Sequence, residues 1–140
     1  MVGNDGEMEN NNLAEVRRIC QEYVDRPDCV FKSCLGKYLV VMATISETVT
    51  NESRKVSNKF RAKYRANILQ VLFIVNMYDT TDRPTQIINN DCFGWLYSPL
   101  CMMYKVGELA IPNTYTDMVD IICGYGVHYF KIWQAIKIYI

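Results

Sequence analysis

The most restrictive feature of the sequence is residues 71–75, Val-Leu-Phe-Ile-Val, in which five apolar side chains follow one another. Because no position in this run is polar, we expect the element that contains it to be buried on every side. The chain has 140 residues, half of them hydrophobic, which is enough for one domain with a substantial core. We therefore predict a central, deeply buried helix over about residues 66–77.

The charged residues exclude several classes of protein. Fifteen Lys and Arg balance fifteen Asp and Glu, so the formal net charge is zero. This balance argues against a strongly basic nucleic-acid binder and against an acidic disordered chain. One histidine, His128, and six cysteines without a Cys-x-x-Cys spacing provide no metal-site motif. We expect no metal, no cofactor and no nucleic acid, and we expect reduced, buried thiols.

Amphipathic spacing predicts helices along most of the remaining chain. In residues 13–24, Leu13, Val16 and Cys20 fall on one face, and Pro27 ends the helix. Residues 37–50 form a similar stripe, although Val40 and Val41 leave a strand as the alternative. The prediction is an all-α fold: residues 1–12 are a flexible N-terminus and residues 13–140 a single helical domain of about eight helices. These cover about 13–24, 37–50, 51–65, 66–77, 84–95, 100–110, 117–123 and 127–138.

Six of the fifteen basic residues lie between positions 54 and 65. Such a cluster can contact phosphates, an anionic lipid surface or an acidic partner, and the plainer alternative is a solvated helix face. The basic residues of this segment are Arg54, Lys55, Lys59, Arg61, Lys63 and Arg65.

Catalytic groups are few. Asp117 and Asp120 lie one turn apart on a predicted helix, where capping and solvation explain them. His128 lies among aromatic residues, as a satisfied, half-buried histidine does. Neither a nucleophile motif nor a phosphate-binding glycine loop is present. We predict a binding protein rather than an enzyme, with a small cytosolic enzyme as a further alternative.

The predicted helical arrangement resembles the Bcl-2 family of apoptosis regulators. Residues 64–73, Tyr-Arg-Ala-Asn-Ile-Leu-Gln-Val-Leu-Phe, look like the family's fourth helix. Residues 42–49 are similar to its third homology region, and Arg83 falls where the first region has its arginine. Residues 12–24 and 124–130 loosely match the fourth and second regions. Thr80-Thr81-Asp82 replaces the usual Asn-Trp-Gly before that arginine. A rival register puts Ser98-Pro99-Leu100 in the family's Gly-Arg-Ile place and residues 57–64 in the third region.

The resemblance implies a viral anti-apoptotic protein, of the kind found in large DNA viruses such as iridoviruses or poxviruses. It would sequester the amphipathic helix of Bim-, Bak- or Bax-type proteins in a hydrophobic groove, where Arg83 pairs with the ligand's Asp. The alternative is a modulator of innate immune signalling that acts through another protein surface. The implied location is the host cytoplasm. The resemblance leaves open whether the protein associates with the mitochondrial outer membrane, whether it forms a homodimer and whether its C-terminal segment contacts a membrane. The implied groove residues are Val49, Val56, Phe60, Ile68, Val71, Leu72, Arg83 and Ile87.

Overall fold

The computed structural model describes residues 13–53, 62–90, 101–112 and 126–132. In these ranges the chain forms eight strands and two short helices, so the predicted all-α bundle is wrong. The helices are α1 (13–19) and α2 (Gln21–Val24). The strands are β1 (Cys29–Cys34), β2 (Tyr38–Ala43), β3 (Lys63–Ala66), β4 (Leu69–Asn76), β5 (Gln86–Asn90), β6 (Cys101–Lys105), β7 (Leu109–Ala110) and β8 (Val127–Phe130).

Six of the strands form one antiparallel sheet in the order β3-β8-β1-β2-β4-β7. Its centre is the β1–β2 hairpin, in which Cys29 lies opposite Ala43 and Cys34 opposite Tyr38. Strands β5 and β6 pair separately as a second antiparallel sheet. The turn after β6 joins the two sheets, because the backbone N–H of Gly107 donates to the carbonyl of Val71 at 2.9 Å.

Helices α1 and α2 cover one face of the six-stranded sheet. Val16 and Cys20, both fully buried, pack there against strand residues such as Phe31 and Leu39. We call this cluster the helix-side core. It consists of Val16, Cys20, Cys29, Phe31, Leu39, Val41, Val75, Met77 and Phe130, with Leu13, Ile19, Tyr23, Val24, Leu72 and Phe73 partly buried around it.

The opposite face packs against the β5–β6 sheet. Ile87 of β5 and Tyr104 of β6 lie directly opposite each other and belong to one buried cluster with β1, β2, β3, β4 and β8. We call this cluster the hairpin-side core. It consists of Val30, Cys34, Val40, Met42, Ala62, Tyr64, Ala66, Leu69, Val71, Ile74, Ile87, Met102, Tyr104, Ala110, Val127 and Tyr129, with Tyr38 partly buried beside it.

Burial on both faces explains why residues 71–75 misled the prediction. A strand between two cores needs apolar side chains on both sides, so it lacks the alternation that identifies a strand. Val71 and Ile74 face the hairpin-side core, whereas Leu72, Phe73 and Val75 face the helix-side core. The register of β2 and β4 shifts between Val41–Phe73 and Met42–Val71, which leaves Leu72 as the extra residue of a bulge.

The first predicted helix is confirmed in substance. Residues 13–19 and Gln21–Val24 are helical, with a break at Cys20, and the helix ends before Pro27 as expected. Residues 37–50 instead form β2 and a loop, so the strand alternative drawn from Val40 and Val41 was right for this segment. The predicted helices at 66–77, 84–95, 100–110 and 127–138 are strands wherever the structure describes them as regular elements. Residues 1–12 and 117–123 lie outside the described residues.

The buried cysteines provide a test of the helix-side core. Cys20 and Cys29 are free and buried, and burial raises the pKa of the Cys20 thiol from 9.0 to about 12 and raises that of Cys29. Because the thiolate is the nucleophile, we expect iodoacetamide at pH 8 to leave both unmodified in the folded protein and to alkylate both in urea. Peptide mapping by mass spectrometry measures this. Fast labelling of Cys20 without urea would contradict the packing.

The same shift has a defined effect on stability. The folded state favours the protonated Cys20 thiol, so its contribution is fully present below pH 9 and is lost as the pH rises towards 12. Any group whose pKa is higher in the folded state than in the unfolded state stabilises the fold at low pH and loses this contribution as the pH rises.

Candidate functional site

A pocket of about 220 Å³ lies where β1, the turn after it, β3 and β8 meet. Its described lining combines basic, small polar and aromatic groups, and contains no carboxylate. The lining residues are Lys32, Ser33, Gly36, Lys63, His128 and Phe130.

Strand pairing places these residues next to one another although they are far apart in the sequence. Phe130 of β8 lies opposite Phe31 of β1 on one side and opposite Lys63 of β3 on the other. Arg65, two residues after Lys63 in β3, lies opposite His128 of β8. Phe31 and Phe130 both belong to the helix-side core, so the pocket adjoins that core. Three strands from three parts of the chain are therefore needed to assemble it.

Three basic side chains at this place are buried. Lys32 is 7% exposed, Arg65 0% and His128 4%. The Nζ of Lys32 donates to the backbone carbonyl oxygen of His128 at 3.1 Å, which ties β1 to β8. The charges of Lys32 and Arg65 are costly to bury unless the fold supplies partners for them. Their concentration beside one pocket is therefore the most distinctive electrostatic feature of the described residues.

The loop before β3 holds this region in place. The Oδ1 of Asn51, a residue 1% exposed, accepts a hydrogen bond from the backbone N–H of Arg65 at 2.8 Å. Both oxygens of Glu52 are engaged near β8, one by the hydroxyl of Tyr129 at 2.5 Å and the other by the Nζ of Lys131 at 2.9 Å. This carboxylate is thus bound to other partners and does not line the pocket.

The turn between β1 and β2 forms one rim of the pocket. Leu35 and Gly36 both have positive φ, 56° and 71°, and the N–H of Lys37 donates to the carbonyl of Cys34 at 3.2 Å. Positive φ at successive turn residues is common in the turns that close β-hairpins. A Cβ at Gly36 would contact nothing within 4 Å, so glycine is needed there for its backbone conformation and not for space.

The residues of the predicted peptide groove do not form one surface. Val71 and Ile87 lie in the hairpin-side core, while Leu72 lies across the sheet in the helix-side core. Val49 is 54% exposed in the loop after β2. Ile68 lies in the connection between β3 and β4. Val56 and Phe60 lie outside the described residues.

Arg83 has contacts within the fold. It lies in the loop between β4 and β5, its Nε donates to the carbonyl of Thr80 at 2.9 Å, and its guanidinium lies over the ring of Phe73, 5.7 Å from the ring centre. The described residues build no helical groove around it, because the segments predicted to form that groove are strands, turns and loops wherever they are described. The resemblance to the Bcl-2 family depended on those helices, so the helical-bundle architecture inferred from it is corrected.

The structure describes two residues of the basic cluster, Lys63 and Arg65, and one of the catalytic candidates, His128. Lys63 lines the pocket, and Arg65 is buried in β3, so neither lies on the predicted solvated helix face. His128 also lines the pocket. Residues 54–61, Asp117 and Asp120 lie outside the described residues.

Sequence reasoning did not select Lys32, Ser33 or Gly36. A usable signal was present: Leu35-Gly36-Lys37 separates two mostly apolar segments, 29–34 and 38–43, and a short glycine-containing segment between such segments indicates a hairpin. That pattern predicts the position of the turn, but it does not indicate that β8 and β3 lie beside it.

Comparison with known proteins yields no assignment, since no family model, no curated protein and no solved structure matches the chain. Within the ranges that the structure describes, no group of three or more His, Cys, Asp or Glu residues could hold a metal ion. No helix of the described part has the length and apolar character needed to span a bilayer. The pocket is therefore interpreted from its own chemistry.

Proposed function

We propose that the protein binds a small anionic ligand, in particular a phosphate-bearing one, in the pocket between β1, β3 and β8. The observation that carries this proposal is that Lys32, Lys63 and His128 all line one cavity, whose described lining has no carboxylate. Ammonium groups and hydroxyls are the donors from which phosphate and carboxylate sites are built.

The individual lining groups suit such a ligand. Lys63 adds an ammonium group to the lining and is exposed in strand β3. Ser33 adds a hydroxyl that can donate to an anionic oxygen. Phe130 adds an apolar wall that excludes water on one side and strengthens charge interactions. Together these groups favour a ligand with one compact negative group and a small apolar part.

The volume limits the size of the ligand. The pocket has a volume of about 220 Å³. Sites for drug-sized compounds begin at roughly 300 Å³. We therefore expect inorganic phosphate or a short phosphate ester to fit, rather than a polynucleotide.

A titration of isotope-labelled protein with inorganic phosphate and glycerol phosphate, followed by amide chemical shifts, tests the proposal. We expect saturable shifts in β1, β3 and β8. Loss of one charge-assisted hydrogen bond of about 1.5 kcal/mol predicts roughly tenfold weaker binding for Lys63→Ala. Lys37→Ala is the matched control, because Lys37 is exposed in the adjacent turn and its Nζ lies 5.1 Å from the centre of the Tyr38 ring.

The proposal fails if neither phosphate compound gives saturable shifts in these strands. It also fails if Lys63→Ala binds as tightly as the Lys37→Ala control. In the first case the pocket is not an anion site, and in the second case its basic residues do not contribute to binding.

A further inference from the structure

We propose that the phosphate recognised by the pocket belongs to an anionic membrane lipid, and that the β1–β2 turn places Leu35 into the membrane surface beside it. This inference rests on the proposed function, because it assumes that the pocket binds phosphate. It adds a second contact, an apolar one, and thereby names the source of the ligand.

The turn carries an unusual residue at its tip. Leu35 has a φ of 56°, a conformation that Asn, Asp and Gly adopt readily and that a large L side chain adopts at a cost. Its side chain is 57% exposed. The position thus combines backbone strain with an apolar side chain in solvent. An Asn there would adopt the backbone conformation more readily and would expose a polar side chain instead. Strain of this kind is often retained where a residue has a functional contact.

The surroundings of Leu35 match a charged membrane surface. The next residue, Gly36, lines the basic pocket, and Lys37 is exposed in the same turn. Lys63, also exposed, lines the pocket from β3. An anionic bilayer offers phosphate groups and hydrocarbon within a few ångströms of each other, and basic residues are attracted to its surface. A free phosphate ester accounts for the pocket but gives Leu35 no role.

Other exposed apolar residues lack these neighbours. Ile88 and Met103 lie opposite each other on the β5–β6 sheet, and no residue next to either of them in the sequence lines the pocket. Among the residues described, Leu35 is the exposed large apolar residue that is next in sequence to a residue of the pocket lining.

Vesicle sedimentation tests the inference. The vesicles contain phosphatidylcholine alone, or phosphatidylcholine with phosphatidylserine or with a phosphoinositide. We expect binding to the anionic vesicles only, and at least tenfold weaker binding for Leu35→Asn. Asn suits the left-handed turn, so this variant should fold as well as the original chain. Val49→Asn is the matched control, because Val49 is 54% exposed in a loop that does not line the pocket.

The outcomes separate this inference from the proposed function. If the protein binds glycerol phosphate but no anionic vesicle, or if Leu35→Asn binds vesicles as tightly as Val49→Asn, membrane docking is overturned and the phosphate site stands. If vesicle binding is unaffected by Lys63→Ala and no soluble phosphate binds, both are overturned. Retained glycerol phosphate binding by Leu35→Asn, together with its loss of vesicle binding, supports the inference.

Discussion

Replacing Leu39 with Ala should lower the free energy of unfolding by about 2–5 kcal/mol, the range for truncating a buried leucine. Leu39 is fully buried in β2, within the helix-side core. Because helices and sheet pack against each other at this position, removing the side chain leaves a cavity that neither layer can readily fill. The loss is a large part of the 5–15 kcal/mol that stabilises a typical domain. Urea unfolding followed by circular dichroism measures it.

Val49→Ala is the matched control for Leu39→Ala. In the structure Val49 is 54% exposed, and we expect a change within about 0.5 kcal/mol. A larger loss for Val49→Ala than for Leu39→Ala would contradict the sheet.

The second large effect is expected at Tyr104. Tyr104 is fully buried in β6 and lies opposite Ile87 in the hairpin-side core. Replacing it with Ala should cost about 3–5 kcal/mol, as for other buried aromatic residues. The same urea experiment applies, and a reduced midpoint with an unchanged slope would show that the native state is destabilised rather than expanded.

Met103→Ala is the control for Tyr104→Ala. Adjacent residues of a strand point to opposite sides, and Met103 is 50% exposed. We expect a change within about 0.5 kcal/mol. Equal losses for the two variants would mean that β6 does not pack on the sheet through Tyr104.

The helical part of the fold could be predicted because its signal is local. Residues 13–24 have one buried face and one solvated face, and Val16 and Cys20 recur at the helical period. The strands lacked an equivalent signal. In β2, Leu39 and Val41 face one core while Val40 and Met42 face the other, so all four are apolar and no alternation remains to be read.

The pocket could be predicted only in fragments. From the sequence, Lys63 could be identified only as part of a basic cluster, and His128 only as the lone histidine. Nothing local connects them, because they come together through the pairing of β3 with β8. Which distant strands pair with each other depends on how both cores pack. A short window of the sequence does not contain that information.

By itself the sequence determined that this chain builds a substantial apolar core, that residues 71–75 pack against it and that residues 13–24 form an amphipathic helix. These properties depend on composition and on neighbours within a few residues. Only the tertiary structure decided that the apolar runs are strands, since a segment covered on both faces shows the same pattern as a helix buried all round. It also decided where the basic residues act, because antiparallel register brings Lys63 and His128 to the same pocket as Lys32.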